Sequence, residues 1–225
     1  MRSGARQRIH RHPASIERRL TKLAALVCLA GLVASIPMAL GEWRVDAIVA
    51  AMRSGDASQR GDVLERTAEV PPGALPDRGE AALAQIALAS ASEAQDPALR
   101  QLYLARARDL VAHLRAARPD WAPSLILSSA VALASANTPL PPEALRDYAA
   151  SYRAAPFLWA EARWRIALGS LAWPALDHAT RQHMIDEAVW LTRFDNAQRP
   201  DVEAMLGDTP AGVAYQLAMA RAVGL

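Results

Sequence analysis

An all-α fold is what this sequence predicts, on three observations. Apolar residues make up 52% of the 225 while aromatics reach only 5%, so the apolar content is mostly Ala and Leu. Both lose little side-chain freedom in a helix, and the β-branched residues that favour strands are few. From Glu80 onward, apolar residues recur at helical spacing between Pro- and Gly-marked breaks, without sustained strand alternation. Part of the chain also repeats itself at a fixed offset, as stacked helical units do.

Residues 1–22 form a basic tail, with Arg2, Arg6, Arg8, Arg11, Arg18, Arg19 and Lys22 against a single acid, Glu17. Taking those seven bases and one acid from the 25 basic and 23 acidic residues leaves 18 and 22, so the remainder carries −4 although the whole carries +2. The basic character thus belongs to the tail. The tail lacks the interleaved aromatics of a nucleic-acid-binding arm and abuts an apolar run, which argues for a role in membrane topology and against a nucleic-acid partner. Lys22 is the only lysine, and the Arg- and Ala-rich composition is the mark of a GC-rich bacterial genome.

Residues 23–41 are nineteen uncharged, mainly apolar positions. As a helix they span about 28 Å, close to the hydrocarbon thickness of a bilayer. Trp43 comes next, where an interfacial aromatic sits, and the positive charges lie on the N-terminal side. The expectation is a transmembrane helix in a bacterial inner membrane, with the N-terminus cytoplasmic and the C-terminal domain periplasmic. The competing reading is a cleaved signal peptide, since Pro37 precedes the small residues of Ala39-Leu40-Gly41. The length of the positive region and of the apolar stretch favours an uncleaved anchor. Cys28, the only cysteine, lies in this run, so the exported part forms no internal disulfide.

Residues 42–79 read as membrane-proximal helices, about 45–53 and 62–68, followed by a Pro- and Gly-rich linker at 71–79. Residues 80–225 read as a helical domain with segments near 80–93, 97–117, 122–137, 142–154, 157–172, 175–193, 199–206 and 210–223.

An offset of 38 residues aligns Arg108-Asp109 with Arg146-Asp147, Arg115-Ala116-Ala117 with Arg153-Ala154-Ala155, and Trp121-Ala122 with Trp159-Ala160. Ala144, Tyr148, Ser151 and Pro156 share their spacing with Ala107, Val111, Leu114 and Pro119. This resembles the second helix of a tetratricopeptide repeat, where a small residue permits close helix approach and a proline closes the hairpin. Residues 157–172, with Trp159, Trp164 and Gly169, resemble a first helix of such a unit. The period exceeds the family's usual one, and the family's Trp-Leu-Gly-Tyr order is not kept. What the resemblance implies is an α-solenoid of antiparallel helix pairs over about 80–193; an irregular helical bundle is the other architecture open.

Trp121, Trp159 and Trp164, with Arg115 and Arg153, are the candidate binding residues. The tryptophans could line a groove or serve as core wedges; the arginines could face an anionic ligand or lie on solvated helix faces. Arg163, Arg165 and Glu161 flank the same aromatics. His178, His183, Asp186 and Glu187 carry metal-ligand chemistry, but the histidines are not spaced four apart as on a zinc helix, and no metal or other cofactor is expected. No phosphate loop, serine elbow or reactive exported cysteine appears, so no catalytic residue is assigned. These readings predict a non-catalytic, membrane-anchored scaffold that offers a helical-repeat surface to an envelope protein partner, in surface polysaccharide or envelope-complex assembly. The alternative is a periplasmic glycan-binding module using the Trp/Arg face.

Overall fold

The computed structural model describes residues 28–31, 35, 41–136 and 140–223. The tail at 1–22 and thirteen of the nineteen residues of the predicted span at 23–41 lie outside the described residues. Among the described residues, no helix is long and apolar enough to cross a membrane. The chain divides into a unit at Met1–Arg44 and a larger unit at Val45–Leu225. In the first, residues 28–31 are helical and expose Cys28.

In the second unit every regular element among the described residues is helical. Residues 41–54 form α1, of which 45–54 belong to this unit. Then come α2 (Ala57–Arg66), α3 (Asp77–Glu93), α4 (Pro97–Ala117), α5 (Ala122–Ser135), α6 (Pro142–Ala154) and α7 (Ala162–Ala172). α8 (His178–Phe194), α9 (Arg199–Leu206) and α10 (Pro210–Val223) complete the set. Local chemistry sets these limits. Asp56, Asp96 and Asp177 cap α2, α4 and α8 by accepting the backbone N–H of Ser58, Ala98 and Thr180. Proline opens α4, α6 and α10, where its missing N–H costs nothing. Gly207 ends α9 at φ +52°, a conformation that disfavours any residue with a Cβ.

Several predicted helices begin elsewhere, among them α3, at 77 rather than 80. α2 starts at 57 rather than 62, because Asp56 supplies the cap. α8 starts at 178 rather than 175, because Trp173–Ala175 forms a separate 3-10 turn and Asp177 caps α8 itself. α7 starts at 162 rather than 157, because residues 155–161 form a turn held from inside the protein.

Helix packing stays close to chain order. α3 packs on α4, α5 on α6 and α7 on α8; α3 also packs on α5, α7 on α9 and α8 on α10. The substantial packings all join helices one or two places apart. The inward face of α4 carries Ala107, Val111 and Leu114, and that of α6 carries Ala144, Tyr148 and Ser151, all buried. Two apolar cores result. One is built around Leu83, Ile86, Leu110, Leu114 and Leu127, the other around Ile126, Tyr148, Ile166, Met184 and Leu191. Neighbouring α5 residues thus serve different cores, while Leu88 and Trp164 pack against both.

The linker before α3 is tied down by one buried acid. Glu80, fully buried, accepts the N–H of Gly73 and lies 2.7 Å from His113 Nδ1 on α4. Gly73 has φ +88°, and a Cβ there would meet the His113 ring at 2.9 Å, so this turn requires glycine twice over.

Candidate functional site

The turn from α4 to α5 takes four residues, 118–121; that from α6 to α7 takes seven, 155–161. The longer turn explains the late start of α7. Its extra carbonyls need donors, and Arg165 provides them. The guanidinium is fully buried. Nη1 donates to Ala155 O (2.9 Å) and Ser151 O (3.4 Å), Nη2 to Pro156 O (3.0 Å). Nε donates to Glu187 Oε2 at 2.7 Å, and Nη2 also reaches Glu187 Oε1. Every N–H of the guanidinium therefore has an acceptor, three of them carbonyls at the end of α6, where a cation is favoured by the helix dipole.

Glu187, also fully buried, accepts further bonds from Tyr152 Oη (3.1 Å) and the Leu158 N–H (3.1 Å). Burial pushes its carboxyl above the ordinary range, against the pull of Arg165. The Arg165 guanidinium lies over the Tyr152 ring at 3.9 Å. Tyr148 donates to Arg165 O (2.9 Å), and burial raises both phenols well above their usual value. The sequence places Arg165 among solvated helix faces and Glu187 in a possible metal cluster. Both are instead partners in a buried ion pair that links α6, α7 and α8. No group of three or more metal-ligating side chains converges among the described residues.

The turn so held carries Phe157 and Trp159 outward, 47% and 49% exposed, beside Trp190 and the 70% exposed Phe194 of α8. Phe157 and Phe194 lie 5.2 and 5.9 Å from Trp190, within 36° of parallel to it. Trp159 crosses Trp190 and Phe194 edge-on at 6.1 and 5.0 Å. A depression of about 430 Å³ beside them is lined by Asp186, Val189, Trp190, Arg193 and Phe194.

A separate groove of about 640 Å³ runs across α1, α3, α5 and α7. Its large side chains are Met52, Leu88, Leu133, Trp164, Leu168 and Leu171, with Ala89, Ala130, Ala134 and Ala167 between them. None of its lining residues is charged, and Leu171 is 80% exposed at its edge.

The five residues that the sequence singles out do not form one site. Trp164 lines the groove. Trp121, the N-cap of α5, lies under the Arg118 guanidinium and lines a different depression with Pro119, Ala154 and Leu158. Trp159 belongs to the exposed aromatic cluster. Arg115 is turned to its own helix end, donating to Pro119 O and pairing with Asp147 at 3.7 Å. Arg153 is exposed in the last turn of α6 and lines another depression with Asp177 and Thr180. Phe157 and Phe194 escape a reading of the sequence because the rings of the turn meet rings of α8 that lie 31 or more positions further along the chain. The signal available is compositional: both phenylalanines of the chain are in the cluster.

No protein-family model, curated protein or solved structure matches this chain.

Proposed function

We propose that this chain is a non-catalytic scaffold held in a bacterial inner membrane through residues 23–41, with its helical domain in the periplasm. The helical domain is a tetratricopeptide-like solenoid in which α3/α4, α5/α6 and α7/α8 are successive pairs. Supporting this architecture are the substantial packings, which join helices one or two places apart, and the buried, equivalently spaced faces of α4 and α6. The groove is the working surface, and an apolar helical or extended segment of an envelope protein is its occupant.

One observation carries the reading: an open groove of about 640 Å³ whose lining contains no charged residue, contributed by alternate helices. An uncharged, mainly apolar lining favours an apolar occupant, and small residues between large ones let a helix approach closely. Assembly of surface polysaccharide or of another envelope complex is the process in which such a scaffold would serve.

The test places a photo-crosslinking amino acid at Leu171 in cells and compares it with the same probe carrying Ala134→Arg. Leu171 is exposed, so the probe leaves the core alone. A discrete envelope-protein adduct that disappears with the arginine supports the reading. No adduct, or one indifferent to the arginine, refutes it. The glycan-binding alternative draws its support from a different surface, the exposed aromatic cluster.

A further inference from the structure

We propose that the cluster of Phe157, Trp159, Trp190 and Phe194 is a binding platform for an uncharged glycan. It shares no residue with the apolar groove, so it stands or falls apart from the scaffold reading.

The cluster is not overflow from the core. Tyr148 and Tyr152 form an aromatic pair nearby that is completely buried, whereas three of the four cluster rings are about half exposed or more. The turn that presents them is fixed from beneath: Arg165 holds the carbonyls of Ala155 and Pro156, and Glu187 holds the N–H of Leu158, between Phe157 and Trp159. A surface ordered during folding loses little freedom when it binds, which is the condition under which a small ligand gains affinity.

Size, charge and chemistry choose the occupant. A half-exposed aromatic ring offers about 100 Å², so the cluster presents roughly 350 Å². A stable protein interface takes about 800 Å² from each partner. The patch is too small to hold a second copy of this chain and large enough for a few sugar rings. An anionic membrane or a polyanion calls for several unpaired bases. The depression beside Trp190 and Phe194 has one acid and one base, Asp186 and Arg193, which favours a ligand without net charge. A pyranose has an apolar C–H face that suits the electron-rich face of a ring, and hydroxyls around its rim. The Asp186 carboxylate, oriented by a bond from Gln182 Nε2 at 2.8 Å, would accept from those hydroxyls, and the Arg193 guanidinium would donate to them.

The experiment is calorimetric titration of the whole 225-residue chain, in nanodiscs of zwitterionic lipid, with cellohexaose, laminarihexaose, mannohexaose and hexagalacturonate. The expected result is binding of at least one neutral hexasaccharide, weakened at least tenfold by Trp159→Ala and by Phe194→Ala while thermal unfolding is unchanged. Asp186→Asn should weaken it several-fold without altering the aromatic contacts. The proposal is overturned if no neutral hexasaccharide binds, if hexagalacturonate binds best, or if binding survives both ring deletions. It is equally overturned if the two deletions abolish self-association in sedimentation, or abolish quenching by brominated lipid, in place of sugar binding.

Discussion

Removing the Arg165 guanidinium while keeping its volume, as Arg165→Met, should destabilise the protein in a way that depends on pH. The substitution leaves two carbonyls of the α6–α7 turn, Ala155 O and Pro156 O, without donors in a buried site, and strips Glu187 of its counter-ion. Breaking a buried pair by removing one member costs about 3–5 kcal/mol. For a domain of this size, about 4 kcal/mol lowers Tm by about 8–16 °C. The pH dependence has a definite sign. A buried carboxyl already raised in the native protein is raised further without its cation, so it binds a proton more tightly folded than unfolded. Its favourable contribution is then present below the unfolded value and is lost as pH climbs through the folded one. The deficit of the variant relative to wild type should therefore shrink as pH falls from about 7.5 toward about 5. Urea unfolding of both proteins at the two pH values is the assay. A second variant, Arg165→Met with Glu187→Leu, should recover most of the lost stability by removing the orphaned charge. A deficit below about 1 kcal/mol, or one equal at both pH values, would refute the assignment of this pair as a buried turn clamp.

Gly169→Ala should cost about 1–3 kcal/mol by overpacking, since a Cβ there would meet Met184 Sδ at 2.5 Å and Tyr148 Cζ at 2.8 Å; chemical denaturation measures it. Asp177→Ala should cost about 1 kcal/mol at neutral pH through loss of the α8 cap. The Thr180 N–H holds the Asp177 carboxyl below its usual value, so the stability it adds is present above that value and is lost as pH falls through the lower, folded one. Asp177→Asn should keep most of the cap and lose that acid dependence, which thermal scans from about pH 2.5 to about pH 7 would reveal. Mass spectrometry of the membrane fraction should find the native N-terminus at Met1 or Arg2; a start at Glu42 in the soluble periplasm would remove the anchor from the proposal.

The limits of the helices are largely legible in the sequence. α4, α6, α9 and α10 run where Pro, Gly and apolar spacing place them, because those signals act over three or four residues. The late start of α7 shows what such signals omit. Phe157, Leu158 and Trp159 have adequate helix spacing, yet they form a turn because Arg165 and Glu187 satisfy its backbone groups. Glu187 lies 22 residues from Arg165, and no local pattern announces that both turn inward. Arg165 reads as one more surface arginine beside Arg163, yet it turns inward to Glu187 and Ala155 O while Arg163 pairs with Asp201 at the surface. The same distance in sequence conceals the aromatic cluster. Trp164, by contrast, is legible as a groove or wedge residue, and it serves as both.

That double service of Trp164, shared with Leu88, has a thermodynamic side. These two side chains touch both apolar cores and also line the groove. α5 joins the same two cores, through Ile126 and Ala130 on one and Leu127 and Val131 on the other, so both belong to one compact unit. A segment seated in the groove would contact helices of both cores and add to their coupling. Occupancy would then raise the midpoint of unfolding of both cores together, so a melting curve would report whether the groove is filled.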